Sequence, residues 1–252
     1  MLHRFVPLFA GLMLTGSLAA SGDHDALWKI VHDQCVPDEQ ANNNPAPCAR
    51  VDLTGGLDKG YVILKDRVGV AQFLLIATRK ISGIESREIL APDAPNYWAE
   101  AWQNRTYVSA AAKHDLTWDM IGLAINSQPA RSQDQLHIHI DCLQPDVRAL
   151  LAVHMGEIGT TWAELPFDLY GGRYFARRLA DLASQDPFKL LASGMAGAAQ
   201  NMSEETLVVA GVSYAQGQNG FVLLASRADP AAGFLAHGAG LLDHSCALAS
   251  GK

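Results

Sequence analysis

The chain has 252 residues; 49% are apolar, 18% are charged, and the formal net charge is -7. That balance supports a sizeable core and excludes a disordered chain. The basic residues are not clustered, which excludes the basic stripe of a nucleic-acid binder.

The N-terminus reads as an export signal. Arg4 ends a short basic start, and the apolar run FVPLFAGLMLTG follows. Small residues at Ser17 and Ala19 fit a signal-peptidase site. Pro7 interrupts the run, which falls short of the roughly 20 residues a membrane span needs. The expectation is a signal over residues 1–19, cut after Ala19, and a single domain over residues 20–252. An uncleaved anchor is the alternative. Export bears on the four cysteines: Cys35, Cys48, Cys142 and Cys246. An even number in an exported chain suggests two disulfides, although four cysteines allow three pairings. Cys35 and Cys48 bracket a polar, proline-rich loop, VPDEQANNNPAP, with no means of packing itself. A bridge there leaves Cys142 to pair with Cys246. Four free thiols are the alternative.

After the signal, Leu27, Ile30 and Val31 share a face and predict a helix over residues 25–35. Apolar runs at 61–64 and 71–77, parted by Arg67 and Gly69, read as a hairpin. Residues 95–113 read as one helix with Pro95 near its start. Residues 121–125 and 135–142 read as strands joined by a polar loop, 126–134. Residues 145–157 form a helix, again with proline at the entrance. Further on, 187–193 look helical, and 207–213 and 221–226 read as strands joined by a Gly/Asn-rich turn at 216–220. This mixed order predicts an α+β fold: a mainly antiparallel sheet, flanking helices, and a C-terminal extension with a β-hairpin.

The stretch 132–142, SQDQLHIHIDC, carries the chemistry. In a strand, positions i and i+2 share a face. Gln135, His137, His139 and Asp141 therefore point one way, and Leu136, Ile138, Ile140 and Cys142 the other. Two imidazoles roughly 7 Å apart along the strand can reach one phosphate-sized group. A half-buried strand with solvated polar residues is the bland alternative. A zinc site needs at least three protein ligands, and His-x-His supplies two. The loop before it offers Asn126, Ser127, Ser132 and Gln133 as donors to phosphate oxygens. A neutral imidazole can attack phosphorus directly, which favours a nucleophile.

These residues resemble a known family. Ile121 to Cys142, IGLAINSQPARSQDQLHIHIDC, resembles the active-site segment of the histidine-triad (HIT) superfamily, and 73–81, FLLIATRKI, its nucleotide-lining strand. The likeness is closer to one exported branch, the CDP-diacylglycerol pyrophosphatases. It takes in Cys35 to Cys48, the segments GYVILKD and ISGIES, the stretch HIHIDCLQPDVR, and a late Asp-His-x-Cys at 243–246. The resemblance implies a HIT-like fold and hydrolysis of CDP-diacylglycerol to CMP and phosphatidate through a nucleotidyl-histidine. It implies His137 as nucleophile and His139 as a phosphate contact. It makes Ser132 a phosphate-loop hydroxyl and Asn126 an amide near the reacting phosphate. Gln135 stands where the triad's first histidine belongs; an amide can bond the neighbouring strand but cannot titrate.

No metal or other cofactor is expected. The implied partners are the phospholipid substrate and a membrane surface, and the implied location is the periplasm or the periplasmic face of the inner membrane. A periplasmic nucleotide pyrophosphatase or nucleotidyl transferase acting on a soluble substrate is one alternative. A non-catalytic nucleotide- or lipid-binding protein is another, and Gln135 keeps it open. Residues 190–199 and 228–242 could line an acyl groove or be ordinary core. Asp243 and His244 read as a C-terminal turn, with a supporting role beside the histidine strand as the alternative. Arg79 and Lys80 read as phosphate contacts or as a solvated strand end.

Overall fold

The computed structural model describes residues 22–214 and 217–250, so the expected signal lies outside the described residues. The first helix runs further than its spacing predicts. Helix α1 (Ala26–Ile30) passes through a π turn (Val31–Cys35) into α2 (Val36–Asn42). The wider turn accommodates Pro37, which has no N–H to give a regular helix. The supposed loop between Cys35 and Cys48 thus begins as helix, and both cysteines are buried. The two are bridged across 13 residues.

Strands β1 (Arg50–Asp52), β2 (Tyr61–Lys65) and β3 (Phe73–Ala77) follow, the last two as the expected hairpin. The single helix expected over 95–113 is two, α3 (Tyr97–Gln103) and α4 (Thr106–Ala112). Asn96 caps the first by accepting from the Ala99 N–H. Asn104 turns its amide back on the Glu100 carbonyl (2.9 Å) and across to the Tyr61 hydroxyl (3.3 Å). That competition ends α3. Strands β4 (Ile121–Ile125) and β5 (His137–Leu143) lead to helix α5 (Pro145–His154). Then come β6 (Ala163–Leu169), β7 (Gly172–Leu179), α6 (Pro187–Gly194), β8 (Glu205–Ser213), β9 (Asn219–Arg227) and the short β10 (Leu242–Asp243).

The ten strands of the described residues join one antiparallel sheet in the order β1-β2-β3-β5-β4-β8-β9-β7-β6, with β10 paired to the far end of β5. The fold is therefore α+β, as expected. The β8–β9 hairpin does not stand apart as an extension, because β8 pairs with β4 and continues the central sheet.

Helices cover both faces. On one, α3, α4 and α6 pack Trp98, Trp102, Val108, Phe188 and Leu191 onto Ile63, Leu75, Leu123, Ile138 and Ile140. On the other, the π turn and the start of α2 set Val31, Cys35 and Val36 against Val62, Leu64, Leu74 and Ile76. On that same face α5 sets Val147 and Leu151 against Ala124, Leu143, Val208 and Val222. These two apolar groups do not merge. Between them lie the outward positions of β5.

A second disulfide, Cys142–Cys246, spans 104 residues and ties the segment after β10 to β5. Both predicted pairings are present. Two disulfides fit an oxidising environment of the kind exported proteins meet. Among the described residues, no helix is long and apolar enough to cross a membrane.

Candidate active site

The register sets the floor of the site. His137 lies opposite Ile76 of β3, and His139 lies between Leu74 of β3 and Ala124 of β4. Both histidines belong to the face opposite Ile138 and Ile140, as the alternation predicts. They open into a cleft of about 600 Å³ where the helical cover is interrupted. Ala26, Leu27 and Ile30 of α1 form one wall. Residues 65–68 of the β2–β3 loop form another. Asn126, Ser132, His237, Ala239 and His244 complete the rim.

Nδ1 of His137 lies 2.6 Å from the backbone carbonyl of Gln135. A carbonyl only accepts, so Nδ1 carries the proton and Nε2 keeps the lone pair. Burial, the largest effect, pushes this imidazole below the ordinary histidine value; the Gln135 carbonyl and Asp66 oppose it in part. The ring is therefore neutral at pH 7. His139 is held well below the ordinary value, first by burial and then by His137, His237 and His244. Neither of its shielded ring nitrogens has a protein partner among the described residues. The two rings stand edge to face with centroids 5.1 Å apart.

The polar loop is built from beneath. Arg131, almost wholly buried, bonds Glu85 at 2.5 Å and Asp134 at 2.8 Å. An added Cβ at Gly83 would sit 2.2 Å from Arg131 Nη1, so a larger residue there would push this guanidinium aside. Asn126 accepts from the Ala239 N–H at 2.9 Å, and its Nδ2 has no protein partner among the described residues. Ser132 is exposed on the rim, and its hydroxyl likewise has no such partner.

Two expected donors, Ser127 and Gln133, and the expected substrate-binding Gln135 are otherwise engaged. Ser127 is fully buried and its hydroxyl donates to the Leu235 carbonyl, so it does not reach the cleft. Gln133 borders the cleft, but its oxygen accepts from the Leu27 N–H (3.0 Å) and its nitrogen donates to the Asp23 carbonyl (2.9 Å). It fastens α1 to the loop. Gln135 donates to the carbonyls of Ala77 (2.7 Å) and Arg79 (2.9 Å), clamping β5 to the end of β3. Its contribution to the site is its backbone carbonyl.

Asp243 and His244 divide their roles. Asp243 accepts from the N–H groups of Ser245 and Ala247 and makes the expected turn. His244 enters the cleft, with Nδ1 2.9 Å from Asp141 Oδ2. The sequence signal was the disulfide spacing, which carries residue 244 back to β5. Of the stretches 190–199 and 228–242, only His237 and Ala239 border the cleft; α6 packs on the opposite face. Lys80 pairs with Asp25 at 2.9 Å on the surface, a solvated strand end. Among the described residues, no group of three or more His, Cys, Asp or Glu is placed to hold a metal ion.

The family profile described as CDP-diacylglycerol pyrophosphatase matches residues 22–250, nearly the whole described chain. The chain belongs to that family. A curated relative from Yersinia pestis, named CDP-diacylglycerol pyrophosphatase, is 41% identical over 224 residues. That alignment takes in 88% of this chain and 84% of the relative. The match to the CDP-diacylglycerol pyrophosphatase family thus spans the fold from α1 to the segment after β10.

Proposed function

We propose that this chain hydrolyses CDP-diacylglycerol to CMP and phosphatidate through a cytidylyl-histidine at His137, on a membrane surface in the periplasm. Membership of the family supports the substrate. The single observation that carries the mechanism is the bond from His137 Nδ1 to the Gln135 carbonyl. It leaves an uncharged Nε2 with a lone pair in the cleft, ready to attack phosphorus without first losing a proton.

Nε2 attacks the phosphorus that bears cytidine, an N–P bond forms, and the anhydride bond to phosphatidate breaks. The free Asn126 amide and the Ser132 hydroxyl donate to the phosphate oxygens as charge builds on them. The neutral ring of His139 stands edge to face against His137 and backs it. Water then releases CMP. The apolar wall of Leu27, Ile30, Leu64 and Val68 suits the lipid side of the substrate. Val68 and Val70, each more than half exposed beside that wall, suit a rim that faces lipid.

The test is a rapid quench with substrate labelled at the cytidine-bearing phosphorus, followed by peptide mapping. The label is expected on His137, and His137→Ala is expected to lose CMP release by a factor of at least about 10³. Near-normal turnover of that variant overturns the reading.

A further inference from the structure

We infer that His244, oriented by Asp141, is the general base that draws a proton from water when the nucleotidyl-enzyme is hydrolysed. The inference rests on the covalent reading of His137. Four histidines border the cleft: 137, 139, 237 and 244. Of these four, only His244 has a carboxylate partner among the described residues, Asp141 at 2.9 Å.

The pair has the form that base catalysis needs. Asp141 Oδ2 accepts from Nδ1–H, which fixes the tautomer and leaves the His244 Nε2 lone pair free. Asp141 is itself fully buried and braced by the Cys142 N–H at 2.8 Å, so the acceptor is held in place. The His244 backbone is fixed as well, since its carbonyl accepts from the Val70 N–H at 2.9 Å. The imidazole is about one-third exposed and can shed its proton to solvent. His139 has a fixed backbone too, but its ring nitrogens are shielded and unpartnered among the described residues. It has no carboxylate to stabilise a positive ring, and three histidines around it resist a charge there.

The step balances as follows. Water oxygen attacks phosphorus while its proton passes to His244 Nε2. The N–P bond breaks, its electron pair returns to His137 Nε2, and CMP departs. The imidazolium at 244, stabilised by Asp141, then releases its proton to bulk water. Phosphatidate has already left in the first step, which asks nothing of this base.

The two halves of the reaction should therefore separate in a His244→Gln variant. On mixing with labelled CDP-diacylglycerol, about one equivalent of phosphatidate per enzyme is expected in a burst. CMP release is expected to slow by about 10²- to 10⁴-fold, and label to accumulate on His137. A purely structural role slows both products together and traps no label; that outcome, or wild-type release of both, overturns the inference. His244→Asn carries the same comparison if the glutamine variant does not fold. Loss of labelling and turnover in His137→Ala, with no trapping in His244→Gln, refutes the role of His244 alone. Normal turnover in His137→Ala refutes the covalent reading beneath it.

Discussion

Replacing Asp141 with Asn should change how stability depends on pH. In the folded protein burial lifts this carboxyl from 3.8 to about 6, and the nearby Asp243 adds to the rise. The His244 imidazole and the Cys142 N–H restrain it. A rise of about two units, at 1.36 kcal/mol each, amounts to about 3 kcal/mol. The native state holds the proton more tightly than the unfolded chain does. The contribution to stability is thus fully present below pH 3.8 and is lost as pH climbs through about 6. Above that, the wild type holds a buried carboxylate that asparagine replaces with a neutral amide. The amide leaves an N–H group short of a partner, a cost of about 1–3 kcal/mol that does not vary with pH. The informative quantity is the difference in stability between the two proteins. Urea unfolding followed by tryptophan fluorescence, from about pH 4 to about pH 8, measures it. The wild-type advantage over Asp141→Asn is expected to shrink by about 1–3 kcal/mol across that range. A difference that stays constant, or grows with pH, refutes the reasoning.

Gly238→Ala places a Cβ 2.2 Å from Thr206 Oγ1 and 3.2 Å from the Ile125 carbonyl, so the segment carrying His237 and Ala239 must lift. A loss of about 1–3 kcal/mol in denaturant unfolding is expected, with a raised KM as the Asn126–Ala239 bond loosens. Cys246→Ser opens a 104-residue loop, worth about 4–5 kcal/mol in the chain-entropy picture. A lower melting temperature is expected, together with slower CMP release well below it, because His244 loses its tether. Val68→Asp combined with Val70→Asp is expected to weaken activity on substrate in vesicles several-fold more than on dispersed short-chain substrate. Parallel rates on the two substrates count against a lipid-facing rim.

Much of the site was legible because period-two alternation is local. Once 135–142 is a strand, the facing of His137 and His139 follows from the pleat alone. The cysteine spacing likewise carried the late segment to β5. What escaped notice depended on long-range partners. Ser127 and Gln133 look like free donors in a loop, yet Leu235 and Leu27 engage them from over a hundred residues away. The hairpin β6–β7 went unread because β6 is a polar edge strand containing Pro166, with a register shift between Glu164 and Asp168. Its turn was readable: Tyr170 and Gly171 both have positive φ, the two-residue geometry that suits a tight hairpin. The break at Asn104 needed knowledge of Tyr61, which no helical spacing supplies.

The strap formed by residues 236–246 gives the molecule an order of assembly. Histidines 137 and 139 take their places as soon as β3, β4 and β5 pair, but the pocket above them still lacks a side. That side arrives with chain synthesised about a hundred residues later, and oxidation of the second cysteine pair pins it. A folding intermediate that has its paired histidines but not its strap therefore has no finished pocket, and the wall that carries His237 and His244 is held firmly only once the second bridge has closed.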